Sequence, residues 1–323
     1  MGLYDERVYS MKDMAAALTY DLKDLSSDEW MSRVDDLCEE FGHLEPLGAD
    51  YSALLIDAGR ALFVSFESMA DIIARNNKSA PLGWQFVGSE GWSSLTLLAH
   101  DEHNWFRHPA IFGYFDRLID DGFFDDFDQV LFYGAGAAGY AAAAFSVAAP
   151  SAKVLLIQPQ ATLSTNHAIW DRRFPNSRRL DFHSRFGYGP SMVETASKVT
   201  VIHDHSIAED AMHAQLYNGK NTTHLSCPYI GPNAERAFQS MGILEKQIIA
   251  AMAGTLTRHN FAHLWRKRQS YLPYLHTLFH RLEVTEEHPK LLARLCQKVS
   301  AENEGCSPFA QKLDELKAEI AEV

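Results

Sequence analysis

Between Gln129 and Pro150 the chain reads QVLFYGAGAAGYAAAAFSVAAP. Residues with high β-propensity lead into a turn carrying Gly134, Gly136 and Gly139, and small residues then predict a helix over 138–148. A strand, a glycine-rich turn and a helix in that order are the core of an open α/β sheet, and every chemistry open to such a turn depends on what stands inside it.

The flanking segments agree with that architecture. YSALLIDAG and ALFVSFES read as strands on either side of a Gly59–Arg60 turn, and WSSLTLLAH reads as a third. Helical spacing returns from Trp105 to Phe127, and KVLLIQP, KVTVIHD and TTHLSCPY follow as further strands. Before them, residues 27–41 carry apolar side chains at helical spacing, with Ser27 placed to cap. After Ala234 the pattern is helical to the end, with Gly254 and Pro273 as breaks and a charged final helix. Antiparallel-looking strands first, then strands alternating with helices, predict an α/β fold with a mostly parallel sheet covered on both faces. The expected organisation is an N-terminal helical segment over 1–45, a sheet domain over 46–235, and a helical region over 236–323 packed on the sheet.

Two chemistries use such a turn. In a dinucleotide-binding unit G-x-G-x-x-G lets a pyrophosphate approach a helix N-terminus, and an acidic residue at the end of the next strand bonds the ribose. Gly134, Gly136 and Gly139 satisfy the glycines, but the next strand ends in Gln158-Pro159-Gln160. Gln158 remains the candidate ribose contact, and NAD(P) or a nucleotide the candidate cofactor. The other chemistry is the nucleophile elbow G-x-S-x-G, which lifts a serine above the sheet edge.

The run from Phe132 to Phe174, FYGAGAAGYAAAAFSVAAPSAKVLLIQPQATLSTNHAIWDRRF, resembles the elbow region of a bacterial group of α/β-hydrolase-fold proteins found with polysaccharide-modifying or glycosyltransferase modules. That group has FYG-x-S-x-GGY, a helix of small residues, a strand ending in P-Q and then W-D-x-R-[FW]. Tyr133, Gly134, Gly139, Tyr140, Pro159, Gln160, Trp170, Asp171, Arg173 and Phe174 fall in register. The resemblance implies an α/β-hydrolase-like three-layer sandwich. It places Gly136 where the serine belongs and Pro232 where G-H-N would supply the histidine; Asp204 or Asp210 remains as the acid. An orienting carboxylate alone does no chemistry. The expectation is therefore a catalytically degenerate protein, without a serine nucleophile at the elbow, that binds a ligand or acts in regulation or interaction, with Trp105, Tyr133, Tyr140, Trp170, Asp171 and Arg173 lining the pocket.

A metal-dependent hydrolase is the remaining alternative. His203, His205 and His213, with Asp204 and Asp210, gather three imidazoles and two carboxylates in eleven residues, and His100, Asp101, Glu102, His103 and His108 make a second cluster. Fifteen histidines make chance clusters common, so no metal is expected. Arg172, Arg178 and Arg179 could hold a small anion, and the Asp171–Arg173 pair reads equally as an internal salt bridge. Neither Cys296 nor Cys306 has the acidic, glycine and histidine company of a reductase's catalytic cysteine.

A formal charge of −13 argues against nucleic acid or an anionic membrane as partner and leaves a small molecule or a protein. Four cysteines without a CxxC pair, a charged N-terminus and no long apolar run predict a cytoplasmic location.

Overall fold

The computed structural model describes residues 11–18, 21–75, 79–101, 103–285, 287–302 and 307–321. Among them one sheet contains β1 (Gly42–Pro46), β2 (Tyr51–Ile56), β3 (Ala61–Ser68), β4 (Ser93–Ala99), β5 (Gln129–Ala135), β6 (Lys153–Ile157), β7 (Lys198–His203) and β8 (Thr222–Ser226). Their order is β1-β2-β4-β3-β5-β6-β7-β8. β2 is antiparallel to both β1 and β4, and from β4 onward every pairing is parallel. The expected three-layer α/β-hydrolase-like sandwich, mostly parallel and carrying C-terminal helices, is the fold.

The central strands are apolar throughout because both faces are covered. Adjacent residues on β5 part company: Phe132 packs with Val154, Val199 and Phe145 on one face, and Leu131 with Leu155, Ile202 and Phe86 on the other. The first face is covered by the helix Gly136–Phe145, buried from Gly139 onward, whose alanines let it lie close against the strands. The second is covered by the C-terminal helices, through Ile248, Phe261, Trp265, Phe279 and Phe309.

Several local expectations are refined. β2 and β3 are not neighbours, because β4 inserts between them and pairs Leu95 with Leu55 on one side and Val64 on the other. β1, GHLEP, escapes a pattern search because an edge strand bearing Gly, Pro and polar residues carries no alternation. The cap of Ser27–Phe41 is Ser26, in a capping box with Glu29. The predicted helix 138–148 starts at Gly136 and ends as a 3-10 turn over Ser146–Ala148. Gly254, at φ +69°, follows the helix Leu244–Met252, whereas Pro273 lies in the first turn of Leu272–Thr285, where a missing N–H costs nothing. No helix among the described residues is long and apolar enough to cross a membrane.

Candidate active site

Parallel strands end together, so their C-terminal edge collects loops from β3, β5, β6, β7 and β8 around one opening. At its centre β5 turns into the helix Gly136–Phe145 through Gly136 at φ +55°, the left-handed region that glycine adopts readily. A Cβ on Gly136 would meet no heavy atom within 4 Å. Above it lies a cavity of about 900 Å³, to which Gly136, Ala137 and Ala138 contribute. The N-cap Ala135 has no side chain that can cap, so the first amides of this helix are not capped by it.

One wall is ionic. Glu67 at the end of β3 receives Arg75 Nη1 at 2.5 Å, the Ser65 hydroxyl at 2.8 Å and the Leu82 amide at 3.0 Å. The Tyr133 hydroxyl, from β5, donates to Glu235 Oε1 at 2.5 Å. Burial pushes the Glu235 carboxyl above its ordinary value, against the opposing pull of Arg75 and the Tyr133 hydroxyl. Burial and the adjacent Glu235 carboxylate raise the Tyr133 phenol well above its own, so it stays protonated.

The opposite wall is a closed network. Arg173 binds Asp171 at 2.8 Å and Asp210 at 2.6 Å. His213 Nδ1 accepts the Ala161 amide at 3.1 Å, which assigns the ring proton to Nε2, 3.0 Å from Asp171 Oδ2. Burial alone would raise the Asp171 carboxyl, but the hydrogen bonds from His213 and Arg173 win and hold it far below the usual range. Gln158, itself at φ +47°, reaches across the loop after β8: Nε2 donates to Asp210 Oδ2 and to the Gly231 carbonyl, and Oε1 accepts the Ala234 amide, all at 2.8 Å. Fully buried Asp204 accepts the Gly231 amide at 3.1 Å.

Of the residues singled out from sequence, Trp105, Tyr133, Gly134, Gly136, Gln158, Arg173, Asp210 and Pro232 all border the cavity. Four expectations are corrected. Tyr140 is fully buried and donates to the Phe186 carbonyl. Asp171 is fully buried, and the Asp171–Arg173 pair is the internal salt bridge. Trp170 does not border the cavity; its ring packs at a tilt on His213 and it borders a shallow outer groove with Met212. Arg178 is spent on the carbonyls of Ala168 and Asp171.

The sequence reading missed Glu67, Arg75 and Glu235. Each is an ordinary charged residue standing alone in its segment, and only the fold assembles them. The one signal was Glu235 itself, three residues beyond the histidine-loop position.

The nucleotide reading fails on Gln158, and Gly134 and Gly139 are explained by packing alone. A Cβ at Gly134 would lie 2.1 Å from the Ala138 carbonyl oxygen, and one at Gly139 would lie 3.1 Å from Pro159 Cβ, so these two allow the helix to close on the sheet. Gln158 has its amide fully engaged with the chain. The metal reading fails on geometry: among the described residues no three His, Cys, Asp or Glu side chains are placed to hold an ion. His203 is buried beside His224, His205 is exposed and bonds Ser226, and His213 is bound to Asp171. Glu102 and Cys306 lie outside the described residues.

Topology and elbow together define a protein of α/β-hydrolase fold. No protein-family model and no curated protein matches the chain. Among solved structures it is similar to the carboxylesterase EstE1 from a metagenomic library, at 11% identity over 72% of this chain and 99% of that one, with a TM-score of 0.43. It is also similar to EstE7, a hormone-sensitive-lipase homologue from a metagenome library, at 15% identity over 76% and 99%, TM-score 0.43. A third is the capsule O-acetyltransferase of Neisseria meningitidis serogroup A, at 11% identity over 62% and 93%, TM-score 0.39.

The expectation of a catalytically degenerate binding or regulatory protein is corrected. The space above Gly136 is an open cavity, and its wall holds Glu235, a half-buried carboxyl with Tyr133 as its hydrogen-bond donor, where the sequence offers only an orienting acid.

Proposed function

We propose that the cavity is the active site of an ester hydrolase that uses water directly, without a serine nucleophile. The observation that carries this is Glu235: a carboxyl with a pKa raised by burial, held by Tyr133 in the wall of an open cavity whose floor is the glycine elbow. A general base works best with a pKa near the operating pH, and burial moves a glutamate in that direction.

In this reading Glu235 takes a proton from a water as its oxygen attacks the substrate carbonyl. The oxyanion forms against the first amides of the helix Gly136–Phe145, where the helix dipole and unpaired N–H groups favour negative charge. Collapse breaks the ester C–O bond, and the proton held by Glu235 passes to the departing alkoxide. The products are one acid and one alcohol, and the enzyme is regenerated. Gly136 suits the attack geometry because it leaves free the volume that a serine side chain would take.

The test is hydrolysis of p-nitrophenyl acetate and butyrate with a fluorophosphonate probe in parallel. Turnover without labelling, lost in Glu235→Gln, is the expected result. Absence of turnover, or turnover blocked by labelling, overturns it. Cys38, Cys227 and Cys296 are buried free thiols, which suits the cytoplasm as its location.

A further inference from the structure

The cavity has a second, chemically different end, which the ionic wall does not use. Rings adjoin there in sequence: Phe66 lies 5.2 Å from Phe106, Phe106 6.2 Å from His103, His103 5.2 Å from Trp105, and Trp105 5.0 Å from Phe174, centroid to centroid. All five border the opening.

Trp105 is held there by an unusual backbone. Asn104, Trp105 and Phe106 stand consecutively at φ +42°, +51° and +54°, a conformation that costs energy in non-glycine residues and gathers at ligand sites. Its indole Nε1–H, 95% of the residue being buried, has no hydrogen-bond partner. Gln160, equally buried and bordering the same cavity, has its Oε1 without a partner. An unsatisfied donor and an unsatisfied acceptor on residues that border one cavity are points that a ligand's polar group can complement once the side chain turns toward it. A hydroxyl has both functions, able to accept from Trp105 or to donate to Gln160.

The charge at this end narrows the class. Arg173 stands 5.3 Å from the Phe174 ring and is already bound to Asp171 and Asp210, so its charge is not free for an anion. We infer that this end of the cavity is a subsite for a neutral aromatic ring bearing a hydroxyl. Rings packed edge and face favour a planar aryl group over a saturated one. The inference builds on the reading of the cavity as a hydrolase site, and names which group of the ester enters it.

The test is calorimetric titration of the full chain with methyl 4-hydroxybenzoate, methyl benzoate, methyl 4-hydroxycyclohexanecarboxylate and methyl α-glucopyranoside. Methyl 4-hydroxybenzoate should bind about tenfold tighter than either the deoxy or the saturated analogue, the value of one well-made contact to a buried group. Trp105→Phe keeps a ring and loses the N–H; it should remove most of the preference for the hydroxyl and retain that for the aryl group. Thermal melts of this variant separate lost contact from lost fold. Equal affinity for the three esters, tighter binding of the glucoside, no binding at all, or a hydroxyl preference intact in a folded Trp105→Phe each overturn the proposal. Free acid is assayed in the same samples. Selective binding without hydrolysis would overturn the hydrolytic reading and leave this subsite standing, and hydrolysis without aryl selectivity would do the reverse.

Discussion

Tyr133 and Glu235 lie 102 residues apart and meet at 2.5 Å, phenol donating to carboxylate, in the wall of the cavity above Gly136. The bond joins β5 to the first turn of the helix Ala234–Ser240. It helps to set the position and the proton affinity of Glu235, a carboxyl that borders the cavity above the elbow.

Glu235→Gln should lower ester kcat/KM by about 10²–10⁴-fold, the usual contribution of a general base. Tyr133→Phe should retain activity but move the rise of kcat/KM to higher pH, because the lost hydrogen bond was lowering the carboxyl's pKa against burial. Steady-state rates from pH 4 to 9 read both. A profile unchanged in Tyr133→Phe would remove Glu235 as the base.

Gln158 fixes the loop that carries Glu235. Gln158→Leu takes a partner from the Ala234 amide, the Gly231 carbonyl and Asp210 at once; Asp210 keeps Arg173, while the buried Ala234 amide is orphaned, and such a group costs about 1–3 kcal/mol. The variant should lose at least roughly 2 kcal/mol in urea unfolding. It should also lose kcat more than KM, since the base is displaced while the aromatic end is untouched.

Asp171 supplies acid sensitivity. Its pKa in the folded chain lies below its unfolded value, so its stabilisation is present above the unfolded pKa of about 4 and is lost as pH falls through the lowered one. Urea midpoints taken from pH 7 down to pH 3 should therefore fall more steeply in the natural chain than in Asp171→Asn. That variant starts lower by about 3–5 kcal/mol, because Arg173 and His213 lose a buried partner.

The elbow glycines should separate in a simple alanine test. Gly136→Ala meets no neighbour and costs only left-handed backbone strain, about 1–2 kcal/mol. Gly134→Ala drives a methyl into the Ala138 carbonyl and must move the helix, so its melting temperature should fall much further. Equal shifts would mean that the helix does not press on β5 as described.

The alternation of apolar strands with helices, the elbow and the absent serine are all written locally, in residues at most a few positions apart, because strand and helix periodicity and turn chemistry are local properties. Sequence alone therefore determined the α/β sandwich and the place of Gly136 at its centre. The edge strand β1 escaped because it has no periodicity to display. Tertiary structure decided the rest. The sequence motif places Tyr140 in the pocket, yet the packing of its own helix turns it inward to Phe186, while Tyr133, seven positions earlier, borders the cavity. Glu67, Arg75 and Glu235 come from β3, the loop that follows and the helix after β8, and nothing in their neighbours marks them. A charge becomes a catalytic candidate only when folding removes its water and brings partners from distant segments, and that desolvation exists only in the assembled chain.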